Sequence, residues 1–249
     1  EQPYSKLSVE ATSIVKVFAA PPDDHSLSRR RTSIPLVWMP WQRQMMMPYL
    51  LPPELPESQL LELTEYAMSF VERNDNNLLR TVQDINLSIY RDFAYMPGTT
   101  ALSTTPFEVY TSRHGVCQDF AHLMIACLRA LGLSARYVSG YLLTRPPPGK
   151  PRLIGADASH AWVSVYAPGS ENDWVDFDPT NNLLPNTEHI TLAFGRDFSD
   201  ISPLRGIILG GGGTEPEVAV TVVPLDEEEI PEELLKAEKG EPAKKPATL

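Results

Sequence analysis

The feature that most constrains the fold is an apolar stripe between Cys117 and Gly132. Its side chains recur at i, i+3, i+4, i+7, i+8 and i+11, which is the spacing of one face of an α-helix. They are Phe120, Leu123, Met124, Cys127, Leu128 and Leu131. Cys117 lies three residues before the stripe begins and shares its face, and Gly132 is positioned to end the helix. Such a helix must pack against another layer, which we expect to be a β-sheet.

The remaining elements are predicted on both sides of this helix. Two helices precede it, one at residues 58–72 and one with a stripe of Leu78, Val82, Ile85 and Ile89. Strands follow it at residues 135–143, 158–166 and 173–178, with further β segments around 190–194, 204–209 and 217–223 and a flexible glycine run at 210–213. Helices followed by a run of antiparallel strands indicate the α+β fold class.

Outside these elements the chain is predicted to be less regular. Residues 5–17 alternate apolar and polar side chains and are predicted to form a strand, the end of a preceding β-rich domain. Residues 18–56 are rich in proline and methionine and read as a loop, so residues 1–56 are a remnant of that domain plus a linker. The folded domain is predicted at 57–225. Residues 226–249 are rich in Glu, Lys and Pro and are predicted to be disordered.

Charge and hydropathy exclude two classes of partner. A net charge of −11 argues against nucleic acid, because phosphate binding needs a concentrated basic face. No apolar run approaches the ~20 residues that a membrane span requires. The two cysteines cannot pair on one helix, because ten residues separate them by about 15 Å against a limit of ~7 Å. Free thiols favour a cytoplasmic location, and a chain that starts at Glu1 suggests a missing upstream segment.

Cys117 is predicted to lie in the first turn of its helix. Unpaired backbone N–H groups and the positive end of the helix dipole favour an anionic sulfur there. The same N–H groups can donate to an oxyanion, so one location offers both a nucleophile and an oxyanion hole. Gly115 is expected to allow a sharp turn into the helix. The alternative is an ordinary buried thiol, which is common in proteins.

A nucleophilic cysteine needs a base, and the base needs an orienting group. The predicted strand DASHAWVSVY carries His160 between two small residues that leave room for the imidazole. The next predicted strand, in DWVDFDPT, carries Asp176 and Asp178 on one face. Asp178 lies where a proline ends the strand, a position that also suits a turn-forming aspartate. Asp176 is the reserve candidate.

Taken together, three blocks resemble the transglutaminase-like superfamily, and in particular its bacterial cysteine proteases: GVCQDFAHL, ASHAWVSVY and WVDFDPTNN. The likeness extends over residues 60–195, with a weaker block in GRDFSDISPLRG. It implies Cys117 as nucleophile, His160 as base and Asp178 as orienting acid, because the family's acid directly precedes Pro-Thr. It also implies a papain-like core, with the cysteine helix packed on an antiparallel sheet, and a catalytic domain at 57–225.

The resemblance implies acyl transfer at amide bonds of a protein or peptide substrate through a thioester acyl-enzyme, with hydrolysis favoured. A transglutaminase, which uses an amine acceptor, and a non-enzymatic interaction module of the same fold are the alternatives. No cofactor or metal is predicted, because His122 lies five residues beyond Cys117, the wrong helical spacing for shared ligation. Tyr95 is a candidate for a second oxyanion donor, without support from a motif.

Overall fold

A computed structural model describes residues 8–18, 32–144, 158–170, 173–202, 217–226 and 230. Within this part of the chain, five helices precede the main strands. The elements are α1 (Pro40–Leu50), α2 (Glu57–Arg73), α3 (Leu78–Asp92), β1 (Ala94–Tyr95), α4 (Pro106–Ser112), β2 (His114–Gly115), α5 (Cys117–Ala130), β3 (Ala135–Leu142), β4 (Ala158–Tyr166), β5 (Trp174–Phe177) and β6 (His189–Gly195).

The main sheet has four antiparallel strands in the order β5-β4-β3-β6. Strand β3 is central, pairing Ala135 with Val165 of β4 and Leu142 with His189 of β6. The register of β3 against β6 shifts at Ser139/Gly140. Strands β1 and β2 form a separate two-residue parallel pair. The arrangement confirms the α+β fold class.

Helix α5 lies between the sheet and the other helices. It contacts β3 and β4 on one side and α2, α3 and α4 on the other. The whole predicted stripe is buried, with Leu131 the most exposed member at 8%. Burial of each large apolar side chain of this kind contributes about 1.5–3 kcal/mol. The helix is therefore the centre of the core.

Most predicted elements occur where the sequence places them. Helix α2 covers the predicted 58–72, and all four stripe residues of α3 are buried. Gly132 ends α5 with a φ of +72°. Strands β3 to β6 lie within one or two residues of their predicted bounds.

Two predicted strands are wrong. Residues 8–17 have no regular structure and are largely exposed, and residues 217–223 contain only an isolated bridge position. Alternating polarity makes a strand only when another strand pairs with it, and no strand in the described ranges pairs with either segment. The predicted segment at 204–209, the glycine run and all of the predicted tail except residues 226 and 230 lie outside the described residues.

Residues 32–56, predicted as loop and linker, contain α1 and pack onto the following domain. Trp38 stacks on Tyr166 with ring centroids 5.4 Å apart, and Ile34 is buried in the main core. Arg129 Nη1 donates to the Leu51 carbonyl at 3.3 Å. The domain boundary at 57 stays a prediction. None of the helices in the described ranges combines the length and apolar character needed to cross a bilayer.

Candidate active site

Cys117 is the first residue of α5, as predicted, and its side chain is partly exposed. Asp119 caps the start of the helix, because its carboxylate accepts a hydrogen bond from Val116 N at 2.8 Å. The same carboxylate oxygen accepts from Thr100 Oγ1 at 2.7 Å, which ties the loop after β1 to the helix. The nucleophile candidate therefore lies at a fixed helix terminus, where unpaired N–H groups are available.

The sequence predicts that Gly115 allows a sharp turn into the helix, but the structure gives a different reason for glycine at this position. It does not adopt a positive φ, so its backbone conformation does not require glycine. Instead, a Cβ at this position would lie 2.8 Å from Asp119 Cβ and 2.9 Å from Asp119 Oδ2. Glycine is needed because the capping carboxylate approaches the backbone closely.

Tyr95 runs alongside this segment, since it pairs with Gly115 in the β1–β2 ladder. Burial raises the pKa of its hydroxyl, and the negative charges of Cys117 and Asp119 raise it further. The role of Tyr95 as a second oxyanion donor stays a prediction.

His160 and Asp178 form a buried polar contact. His160 Nε2 lies 2.8 Å from Asp178 Oδ2. Asp178 is fully buried, and its Oδ1 accepts from the backbone N–H groups of Thr180 at 2.9 Å and Asn181 at 3.2 Å. The Asn181 side chain donates to Oδ2 at 2.8 Å. The loop after β5 therefore holds the carboxylate in one orientation.

The electrostatics of the pair favour a charged imidazole. Burial alone would lower the pKa of His160, but hydrogen bonds to Asp178 and Cys117 outweigh burial and raise the pKa to about 9. Burial also opposes ionisation of Asp178, yet its hydrogen bonds to His160 and His189 lower the pKa of the carboxyl well below its usual range. His160 thus bonds Asp178 directly, and Cys117 is among the groups that raise the pKa of its imidazole.

Asp176 is occupied elsewhere. Its Oδ2 accepts from Trp162 Nε1 at 3.0 Å. Of the two candidate acids, Asp178 is therefore the one that bonds His160.

His189 is part of the site and was not predicted. Its Nε2 lies 3.2 Å from Asp178 Oδ2, and its Nδ1 accepts from Asn186 N at 3.3 Å. The one feature of the sequence that could have indicated a role for His189 is its position directly before the predicted strand at 190–194.

His160, Asp178 and His189 are also the one set of described residues whose ligand atoms could surround a metal ion, all lying within 4.8 Å of one another. Both Nε2 atoms lie at hydrogen-bond distance from the carboxylate, so a metal ion there would have to displace two N–H donors. The arrangement suits hydrogen bonding better than ligation.

The other cysteine, Cys127, and the half-buried His122 lie on α5 beyond the site. Burial raises the pKa of the Cys127 thiol to about 12, which makes it a poor nucleophile. His122 Nε2 accepts from Phe198 N at 3.2 Å, and burial lowers the pKa of its imidazole. Both are packing residues of the helix.

Known proteins resemble this chain across the same region. The model of the transglutaminase-like superfamily matches residues 64–179, which include Cys117, His160 and Asp178. An uncharacterized protein of Mycobacterium tuberculosis is 42% identical over 238 residues, covering 90% of this chain and 72% of that protein. A protein-glutamine gamma-glutamyltransferase of Pseudomonas aeruginosa is 35% identical over 100 residues, which are 39% of this chain and 14% of that protein.

Among solved structures, a candidate cysteine protease from Cytophaga hutchinsonii has 31% sequence identity and a TM-score of 0.55. The match covers 70% of this chain and 53% of the Cytophaga chain, so the present chain spans about half of that protein. The sequence match and the shared fold agree, and the chain belongs to the transglutaminase-like superfamily.

Proposed function

We propose that the protein is a cysteine-dependent acyl-transfer enzyme that acts on amide bonds. Cys117 is the nucleophile, His160 carries the proton and Asp178 orients His160. The observation that carries this proposal is the contact of His160 with a fully buried carboxylate, Nε2 to Asp178 Oδ2 at 2.8 Å. The contribution of Cys117 to the raised pKa of the same imidazole supports it. This is the relation of nucleophile, base and orienting group that covalent catalysis requires.

In the first half of the reaction, the Cys117 sulfur attacks the amide carbonyl carbon and a C–S bond forms. The carbonyl oxygen takes up the negative charge and accepts hydrogen bonds from backbone N–H groups in the first turn of α5. When the tetrahedral intermediate collapses, the C–N bond breaks and His160 gives its proton to the departing amine. A thioester acyl-enzyme remains.

In the second half, a water molecule or an amine attacks the thioester carbonyl. His160 accepts the proton of this acceptor, the C–S bond breaks, and Cys117 is regenerated. The pKa of about 9 keeps His160 protonated at neutral pH, so a proton is ready for the leaving amine. Asp178 holds the imidazole so that Nδ1 is left for the sulfur, because Nε2 is engaged by the carboxylate.

Water is the acceptor we favour, with a peptide or protein as substrate. The likeness to the Cytophaga candidate cysteine protease supports hydrolysis. The shorter match to the protein-glutamine gamma-glutamyltransferase supports the second candidate, transfer to an amine. The same three residues serve both outcomes, because the two reactions differ only in the acceptor.

The proposed catalytic domain is residues 57–225, with residues 32–56 packed against it. A preceding β-rich domain, of which residues 1–56 retain the end, and a cytoplasmic location stay predictions.

Mass spectrometry of the intact chain after incubation with a peptide library tests the proposal. We expect a thioester adduct on Cys117, peptide cleavage in water, and peptide–amine products if an added primary amine competes. Cys117→Ala should abolish all three, while Cys127→Ala, a matched change on the same helix, should retain them. Turnover that survives Cys117→Ala would contradict the proposal.

A further inference from the structure

The buried carboxylate of Asp178 is shared between two histidines. His160 approaches Oδ2 from β4 at 2.8 Å, and His189 approaches the same oxygen from β6 at 3.2 Å. The side chain of His189 is 2% exposed. The reaction as proposed uses His160 and assigns nothing to His189.

The hydrogen bonds of His189 define its tautomer. Its Nδ1 accepts from Asn186 N, so Nδ1 carries no proton, and the proton of the neutral ring is on Nε2. His189 Nε2 therefore donates to Asp178 Oδ2. Both ring nitrogens are therefore engaged, because Nδ1 accepts from the backbone N–H of Asn186 and Nε2 donates to the Asp178 carboxylate.

The ring of His189 is also held by packing. The indole of Trp162 meets it edge-on, with centroids 5.3 Å apart. Trp162 is fully buried and occupies the space left by Gly140, where a Cβ would lie 2.4 Å from the indole. Pairing of His189 with Leu142 fixes its backbone to the central strand. These contacts make His189 a rigid support rather than a mobile side chain.

We propose that His189 is a positioning residue, which holds the Asp178 carboxylate ionised and aimed at His160. This inference rests on the proposed function of the site. A fully buried carboxylate is stable as an anion only when donors surround it. His189 supplies one of these donors from a strand distant in sequence, in addition to the donors of the local loop.

Few ionisable side chains in the described residues bond the Asp178 carboxylate. Among the described residues, the ionisable side chains that bond Asp178 are His160 and His189. Asp176 is bonded to Trp162.

Two amide substitutions separate the two nitrogens of His189. His189→Gln places an amide N–H near the position of Nε2 and retains a donor to Asp178, whereas it loses the acceptor for Asn186. His189→Asn places an amide oxygen near the position of Nδ1 and retains that acceptor, whereas it loses the donor. The measurement is the rate of Cys117 alkylation by iodoacetamide as a function of pH, together with thermal unfolding of each variant.

We expect His189→Gln to keep the wild-type alkylation profile. His189→Asn should lower the rate at mildly acidic pH by about tenfold or more, the size expected when a hydrogen bond to a charged group is lost. The control is His122→Asn, which changes a half-buried histidine that also accepts a backbone N–H. This control should lower thermal stability without changing the alkylation profile.

Equal profiles for the two amide variants, or a larger loss in His189→Gln, would overturn the inference. If His189→Asn does not fold, His189→Ala takes its place in the comparison with His189→Gln, and a wild-type profile in His189→Ala overturns the inference. An unreactive Cys117 in the wild-type chain would instead refute the proposed function itself.

Discussion

Asp178→Asn is the substitution whose effect follows most directly from the geometry. It replaces the carboxylate by an amide of nearly the same shape and removes the negative charge beside His160. The hydrogen bonds and charges of Asp178 and Cys117 raise the pKa of His160 from 6.5 to about 9 against the opposing effect of burial. That rise corresponds to roughly 3 kcal/mol, and the hydrogen bond with Asp178 is the largest of the contributions that raise the pKa. Without the carboxylate, burial is opposed by Cys117 alone, and we expect the pKa of His160 to fall toward 6.5 or below.

The loss should appear in two measurements. NMR titration of the His160 ring should show the lower pKa, and kcat/KM should fall by about 10²–10⁴-fold, the usual contribution of a positioned acid–base group. The matched control is Asp176→Asn, two residues earlier in the chain, which keeps an oxygen for Trp162 Nε1. We expect the control to lose less than about tenfold. A greater loss in Asp176→Asn, or an unchanged His160 titration in Asp178→Asn, would refute the reasoning.

Three further outcomes follow from the same site. Activity should decline as the pH rises through about 9, because His160 then loses the proton needed by the leaving amine; a pH profile that stays flat to higher pH would contradict this. Gly115→Ala should destabilise the fold by about 1–3 kcal/mol in urea unfolding, since the new Cβ would meet Asp119 at 2.8 Å, and an unchanged unfolding midpoint would refute that reading. Native protein should take up one iodoacetamide label, on Cys117, and a second on Cys127 only in denaturant, so two labels at equal rates in native protein would be the contrary result.

The sequence was sufficient wherever the determining interactions are local. The stripe of α5 and that of α3 repeat at the helical period, and both faces are buried. Cys117 could be placed at a helix start because the stripe begins just beyond it. The strands that carry His160 and Asp178 were also predicted closely, and three motif blocks allowed their convergence to be expected.

The sequence failed where the outcome depends on a distant partner. Helix α1 buries none of its residues and contains Pro48, so no apolar stripe reveals it. Residues 8–17 alternate like a strand, yet no described strand pairs with them. The role of Gly115 depends on how closely the Asp119 carboxylate approaches it, which the spacing alone does not reveal.

His189 was missed for a topological reason. Strand β6 follows β5 in the sequence but lies next to β3 at the far side of the sheet. The approach of His189 to Asp178 therefore results from strand order and side-chain length together. No local pattern around residues 186–190 encodes it.

The central claim is that the Cys117 sulfur is activated by His160. The most direct test compares the rate of Cys117 alkylation by iodoacetamide at mildly acidic pH in the wild-type chain and in His160→Ala. If His160 activates the sulfur, alkylation is rapid in the wild type and falls greatly in His160→Ala, with thermal unfolding confirming that the variant is folded. Equal rates in the two folded proteins would contradict it.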